Sequence, residues 1–369
     1  MRKKIYVNGA VLFLSCLFSI GIGELTLRLV IRPGKTEKSL IQIKVPEQKW
    51  TIYDSQLGWK NKPNTQAVLK RGEHQSQITI DSNGYRSLGT DSEKSNHSKN
   101  EGTVFFIGDS FTFGFGVNDD ETFSALLSQK INYKVVNAGV AAYGLDQMAL
   151  SIDSLNASAD GSDLLIVGIF VEDFWRSTLS ISNSGYPKPF FQIKGKSLVL
   201  RNIPVPSLEE QHIFHQQTSN IYDSDRLSQL LSKSYLFRFS KRGVIKFFKL
   251  LGWTDFTSSD DWVIGKKIIQ YIYDSHHRRF SNIVFVLIPP KRWIEGTDEP
   301  IRQSFLNFCT EQSFDCLDLT TPLKAVFHAT QEIKDLYIQD DDHWTRLGHE
   351  IAAEEIYKII ENSEKGNDE

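Results

Sequence analysis

The chain predicts an α/β fold in which a parallel sheet is covered by helices on both faces, a three-layer α/β/α arrangement. Three observations lead there. Residues 104–107, 164–170 and 283–288 are short runs that are almost wholly apolar, as strands buried on both faces must be. Segments with helical periodicity lie between such strands, the alternation that builds parallel sheets. The 369 residues are 40% hydrophobic and 24% charged, enough to bury a large core and too apolar for a disordered chain.

Met1-Arg2-Lys3-Lys4 precedes a run without charge over residues 5–23. About 20 apolar residues of helix cross a hydrocarbon core, so residues 1–32 are expected to form a single-pass transmembrane anchor. A cleaved signal peptide is the rival reading, with weak small-residue cleavage options near Ser19, Gly21 and Gly23. The pattern continues unbroken from Glu24 to Ile31, which favours retention. Phe13-Leu14-Ser15-Cys16 only loosely resembles a lipoprotein box, because apolar residues follow the cysteine. Arg2, Lys3 and Lys4 lie before the run and Arg28, Arg32, Lys35 and Lys38 after it, so charge alone does not fix the orientation.

Residues 33–102 read as a polar linker and N-terminal extension. Strand-like pieces at 50–53 and 75–80 precede the turn signal Asp81-Ser82-Asn83-Gly84, and a solvated loop covers 87–102. The main domain spans 103–361. In order it shows a strand at 104–107, a helix at 121–131, a strand at 133–137, a helix at 146–155 and a strand at 164–170. Later come the strand 283–288, stopped by Pro289-Pro290, a helix at 300–309, a strand at 314–319 and a closing helix at 345–360. Residues 176–280 interrupt this rhythm and read as an insertion over one edge of the sheet. They contain a hairpin around Lys194-Gly195 and a basic-apolar helix over 226–251, which either lies on an anionic membrane surface or packs on the main domain. Residues 362–369 are a polar tail.

Lys and Arg number 42 against 45 Asp and Glu, a formal charge of −3. That balance leaves no electrostatic footprint for nucleic acid. Three cysteines exclude a disulfide-framework fold and a cysteine zinc cluster. Cys309 and Cys316 would pair in an oxidising compartment; two reduced, half-buried thiols are the plainer reading. The mean hydropathy of −0.30 averages a membrane-like start with a polar remainder.

Gly108-Asp109-Ser110 follows the first buried strand directly. Ligands of open α/β sheets bind outside the carboxyl ends of the strands, so this serine faces the cleft. A hydroxyl needs a base to act as a nucleophile at neutral pH. Asp340-Asp341-Asp342-His343-Trp344, just before the closing helix, offers an imidazole and carboxylates that would orient it. Helix capping by surface acids is the bland alternative for Asp340 to Asp342. Phe111, Phe113 and Phe115 wall either the pocket or the core. His349, on the closing helix, reads as structural.

These blocks, in this order, resemble those of the SGNH/GDSL hydrolases over roughly 103–175 and 282–361. Gly108-Asp109-Ser110-Phe111-Thr112-Phe113-Gly114 is similar to the block carrying the nucleophile. Asn137-Ala138-Gly139-Val140-Ala141-Ala142-Tyr143-Gly144 is similar to the block whose glycine amide serves the oxyanion hole, and Asp341-Asp342-His343-Trp344 with Gly348-His349 to the block of acid and base. The resemblance implies a flavodoxin-like sheet and a serine esterase that uses no cofactor and no metal. It implies Ser110 as nucleophile, His343 as base, Asp341 or Asp340 as acid, and the Ser110 and Gly139 amides as oxyanion donors. The family's third block supplies an Asn side chain, whereas here Glu172 stands in its place within Gly168-Ile169-Phe170-Val171-Glu172-Asp173-Phe174. Ionised, Glu172 would repel an oxyanion; protonated by burial, it would donate. Losing one such donor costs about 10²–10³ in kcat. The layout is similar to that of membrane-anchored bacterial members. It implies an acylated small molecule or surface polysaccharide as substrate, a membrane contact through the N-terminal helix, and a catalytic body in the periplasm or outside the cell. Acyl transfer with the same residues, or a silent glycan-binding subunit, are the alternatives.

Overall fold

The most apolar strand of the sequence lies at the centre of the observed sheet. Along the chain the strands are β1 (Thr51–Asp54), β2 (Gly58–Asn61), β3 (Thr65–Arg71), β4 (His74–Ile80), β5 (Thr103–Gly108), β6 (Lys134–Asn137), β7 (Leu164–Phe170), β8 (Phe190–Lys194), β9 (Ser197–Arg201), β10 (Asn282–Ile288) and β11 (Asp315–Asp318). Five of them form one parallel sheet in the order β11-β10-β7-β5-β6. Every residue of β7 is buried, which requires cover on both faces and explains the lack of polar alternation. The computed structural model describes residues 50–71, 74–89, 102–158, 161–182, 184–207, 260–296, 300–339 and 341–367. The anchor expected at 1–32 and the basic-apolar helix expected at 226–251 lie outside the described residues. Among the described residues, no helix is long and apolar enough to cross a membrane.

The helices are α1 (Ser110–Phe113), α2 (Phe123–Ser128), α3 (Leu145–Ser151), α4 (Asp173–Arg176), α5 (Asp260–His276), α6 (Lys291–Ile294), α7 (Pro300–Gln312), α8 (Thr320–Thr330), α9 (Ile333–Leu336) and α10 (Arg346–Asn367). The closing helix α10 packs on α2, whereas α5 packs on α3 and α4. The sequence assigned residues 176–280 to an insertion, and the structure differs in the last part of that range. Trp262, Ile268, Ile269 and Ile272 recur at helical spacing and are buried in the same core as β7 and β10. That makes α5 the crossover helix into β10, which a parallel neighbour of β7 requires. The hairpin at 190–201 is present as β8 and β9. Cys309 of α7 and Cys316 of β11 form a disulfide, which corrects the reading of two reduced thiols.

The N-terminal extension folds as two antiparallel hairpins, β1-β2 and β3-β4. Arg86 ties the β3-β4 hairpin to the domain through single bridges to Ile80 and to Asn137 of the edge strand β6. Its side chain is fully buried, an arrangement that is stable only with full pairing. It donates to Asp119 Oδ1 at 2.7 Å, to Gln77 O at 2.9 Å and to Val117 O at 3.0 Å, and it lies over the Phe113 ring. Phe113 thus belongs to the core beside Trp50, Ile78 and Ile80.

Candidate active site

Ser110 is the first residue of α1, at the carboxyl end of β5. Asp109 caps the helix by accepting from the Phe111 amide at 2.9 Å. The turn is tight, because β5 and β7 meet here as Gly108 opposite Gly168. A Cβ on Gly108 would lie 2.0 Å from Thr112 Oγ1 and 2.8 Å from the Gly168 carbonyl, so only glycine lets α1 sit this close to the strand ends.

The loop 337–345 brings His343 to Ser110. Tyr337 and Trp344 bridge across it, Ile338 N donates to His343 O at 2.9 Å, and Tyr337 Oη donates to Pro289 O at 3.0 Å beyond β10. Trp344 is fully buried and anchors the loop. His343 Nε2 lies 2.7 Å from Ser110 Oγ, and His343 Nδ1 lies 2.5 Å from Asp341 Oδ1. A carboxylate only accepts, so the proton sits on Nδ1 and Nε2 is left to accept the serine proton. Asp341 Oδ1 also accepts from the His343 amide at 3.1 Å, fixing both ends of the pair. The imidazole is flanked by the rings of Phe111 and Phe115, at 5.1 Å and 4.7 Å. Asp340 lies outside the described residues.

The groups expected as oxyanion donors at Gly139 and Glu172 each have a partner within the chain. The Gly139 amide donates to Asn137 Oδ1 at 3.0 Å, so it is engaged rather than open to a ligand. Glycine is needed there for packing, since a Cβ would lie 2.5 Å from Phe113 N. In the same loop Ala142 adopts φ 66°, in the left-handed region where a residue with a Cβ is strained. Among the described residues the amides of Ser110 and Ala142 carry no hydrogen bond. Ala142 carries no signal in the sequence, because an alanine does not announce its backbone angle.

Glu172 Oε2 accepts from Arg176 Nη2 at 3.3 Å. This contact turns the Glu172 carboxyl group toward Arg176. Arg176 is the residue that sequence reasoning missed. Its Nη1 donates to Asp109 Oδ2 at 2.9 Å, to Asp173 Oδ1 at 2.8 Å and to the Tyr143 carbonyl at 3.5 Å. Burial, and then the charge of Asp109, hold the Asp173 carboxyl well above the usual carboxylate range. Nearby, Lys188 pairs with Asp146, both fully buried.

His349 is buried and accepts from the Phe123 amide at 3.2 Å, stacked on the Phe123 ring. Burial first, then the Arg86 charge, push it down to about 3. It is a neutral structural histidine, as its helical position suggested.

No protein-family model and no curated protein matches the chain. Among solved structures the chain is similar to a member of the lipolytic G-D-S-L family from Veillonella parvula, with 11% identity over 70% of this chain and 97% of that one, at a TM-score of 0.41. It is also similar to an acetylxylan esterase from Geobacillus stearothermophilus, with 14% identity over 70% of this chain and 94% of that one, at a TM-score of 0.37.

Proposed function

We propose that the chain is a serine esterase of the SGNH/GDSL type that hydrolyses acyl esters, acetyl esters above all, on a cell-surface glycan. The observation that carries this reading is the hydrogen-bonded line from Ser110 Oγ through His343 to Asp341. Ser110 attacks the acyl carbon as its proton passes to His343 Nε2, and Asp341 stabilises the imidazolium so formed. The amides of Ser110 and Ala142, which carry no hydrogen bond of their own, are the donors this reading assigns to the tetrahedral oxyanion. Collapse breaks the ester bond, and the leaving alcohol takes the proton back from His343. Water then hydrolyses the acyl-enzyme by the same proton path, releasing the acid.

The charge-free run at 5–23 and the Cys309–Cys316 disulfide support a body held by an N-terminal anchor in the periplasm or outside the cell, where thiols are oxidised. The test is hydrolysis of a short-chain aryl acetate. Ser110→Ala is expected to reduce turnover to background; full activity in that variant overturns the assignment. With an acetylated glycan present, free acetate is the expected product. Transfer to an added glycan acceptor in its place would reassign the same residues to acyl transfer.

A further inference from the structure

Ser110 Oγ has one proton and two acceptors within reach. His343 Nε2 is at 2.7 Å and Asp109 Oδ2 is at 3.4 Å. Asp109 is fully buried, and a buried carboxylate accepts strongly wherever it finds a donor. Its Oδ1 is taken by the Phe111 amide, and its Oδ2 by Arg176 Nη1 at 2.9 Å. Without that guanidinium the carboxylate loses its charge partner, and the nearest hydroxyl is that of Ser110. A proton held by Asp109 is not directed at the base.

We infer that Arg176 is a positioning residue that keeps the Ser110 hydroxyl aimed at His343 by occupying the competing oxygen of Asp109. The inference rests on the serine-esterase reading. Arg176 is well placed for this. The same fork reaches Asp173 and Glu172 at the exit of β7 and the Tyr143 carbonyl of the loop that carries Ala142. Its own carbonyl accepts from the buried Lys188 Nζ at 3.2 Å, so main chain and side chain are both fixed. Lysine would supply the charge without the planar fork that serves several acceptors at once.

The test compares the rate at which a fluorophosphonate labels Ser110 in the full chain, in Arg176→Ala and in Arg176→Lys, with folding followed by circular dichroism. Both variants are expected to fold and to label at least about tenfold more slowly, the size of effect that loss of one buried charged contact at a site produces. Turnover of an aryl acetate is expected to show a fall in kcat with KM held. Added methylguanidinium is expected to restore part of the Arg176→Ala rate and to leave the unaltered chain unchanged, which a purely structural defect would not show. An unaltered labelling rate in either folded variant overturns the inference, as does a slowed Arg176→Ala rate that methylguanidinium leaves unmoved. Should Arg176→Ala fail to fold, Arg176→Lys carries the test by its labelling rate. Should neither fold, Arg176 is a structural residue and the inference falls. An unlabelled but folded starting chain overturns the esterase reading itself.

Discussion

His343 works only if its two nitrogens face different partners, and that requirement sets the expectations at residue scale. Asp341→Asn keeps the shape of the partner but offers an amide nitrogen or oxygen to Nδ1, which frees the tautomer. It is expected to lower kcat on an aryl acetate by about 10³–10⁴, with little change in melting temperature; a fall of less than tenfold would place the orienting role elsewhere. The choice between Asp340 and Asp341 was legible as a pair but not as a single residue, because it depends on how the loop 337–345 folds around Trp344. The Gly139 expectation went differently. A glycine is selected either for an open amide or for close approach, and the sequence does not say which. Here the 2.5 Å clearance to Phe113 N accounts for it. Arg176 was illegible for a related reason: its acceptors come from three segments that meet only in the folded chain.

At the scale of elements, the β1-β2 hairpin braces the loop beside the site rather than merely leading to it. Asn61 of β2 donates to Gly139 O at 3.0 Å, Trp59 Nε1 to Ala141 O at 3.1 Å, and Tyr143 Oη to Trp59 O at 2.7 Å. The loop with Ala142 is therefore pinned from outside the sheet. Asn61→Ala removes one of these bonds and is expected to cost about 1–3 kcal/mol of stability and to lower kcat more than it raises KM. Unchanged kcat would show that the loop holds itself. The closing helix gives a second expectation. The unfolded chain protonates His349 below its ordinary value of 6.5, whereas the folded chain holds it neutral down to about 3. Between those values the unfolded state binds the extra proton, so stability is full above 6.5 and is lost as the pH falls. A folded His349→Gln variant, compared by denaturant melts between pH 7 and 4, is expected to lose less stability over that interval. An identical slope would remove His349 from the acid response. The central strands β5, β7 and β10 were read nearly to the residue because burial on both faces leaves an unbroken apolar signature. The helix α5 falls within the range expected as an insertion, since position in the chain says little about which core a buried face joins.

For the molecule as a whole, the disulfide and the shared core set stability while the site sets activity. The Cys309–Cys316 bridge closes a loop of sequence separation 7, for which loop-closure entropy gives about 2–3 kcal/mol. Reduction, or replacement of both cysteines by serine, is expected to lower the melting temperature and leave turnover per folded molecule unaltered. Loss of turnover at temperatures where the chain stays folded would tie the bridge to the site. The α/β class and the strands of the parallel sheet were legible because each depends on local pattern. The reach of Arg176 to Asp109 and to the Tyr143 carbonyl was not, because it depends on contact between distant segments.

The most direct test of the central claim is mass-spectrometric identification of the residue modified by a fluorophosphonate. The expected result is a single adduct on the peptide containing Ser110, absent in Ser110→Ala and strongly slowed in His343→Ala. No adduct on the folded chain, or one formed at an undiminished rate in His343→Ala, would contradict the assignment of Ser110 as a histidine-activated nucleophile.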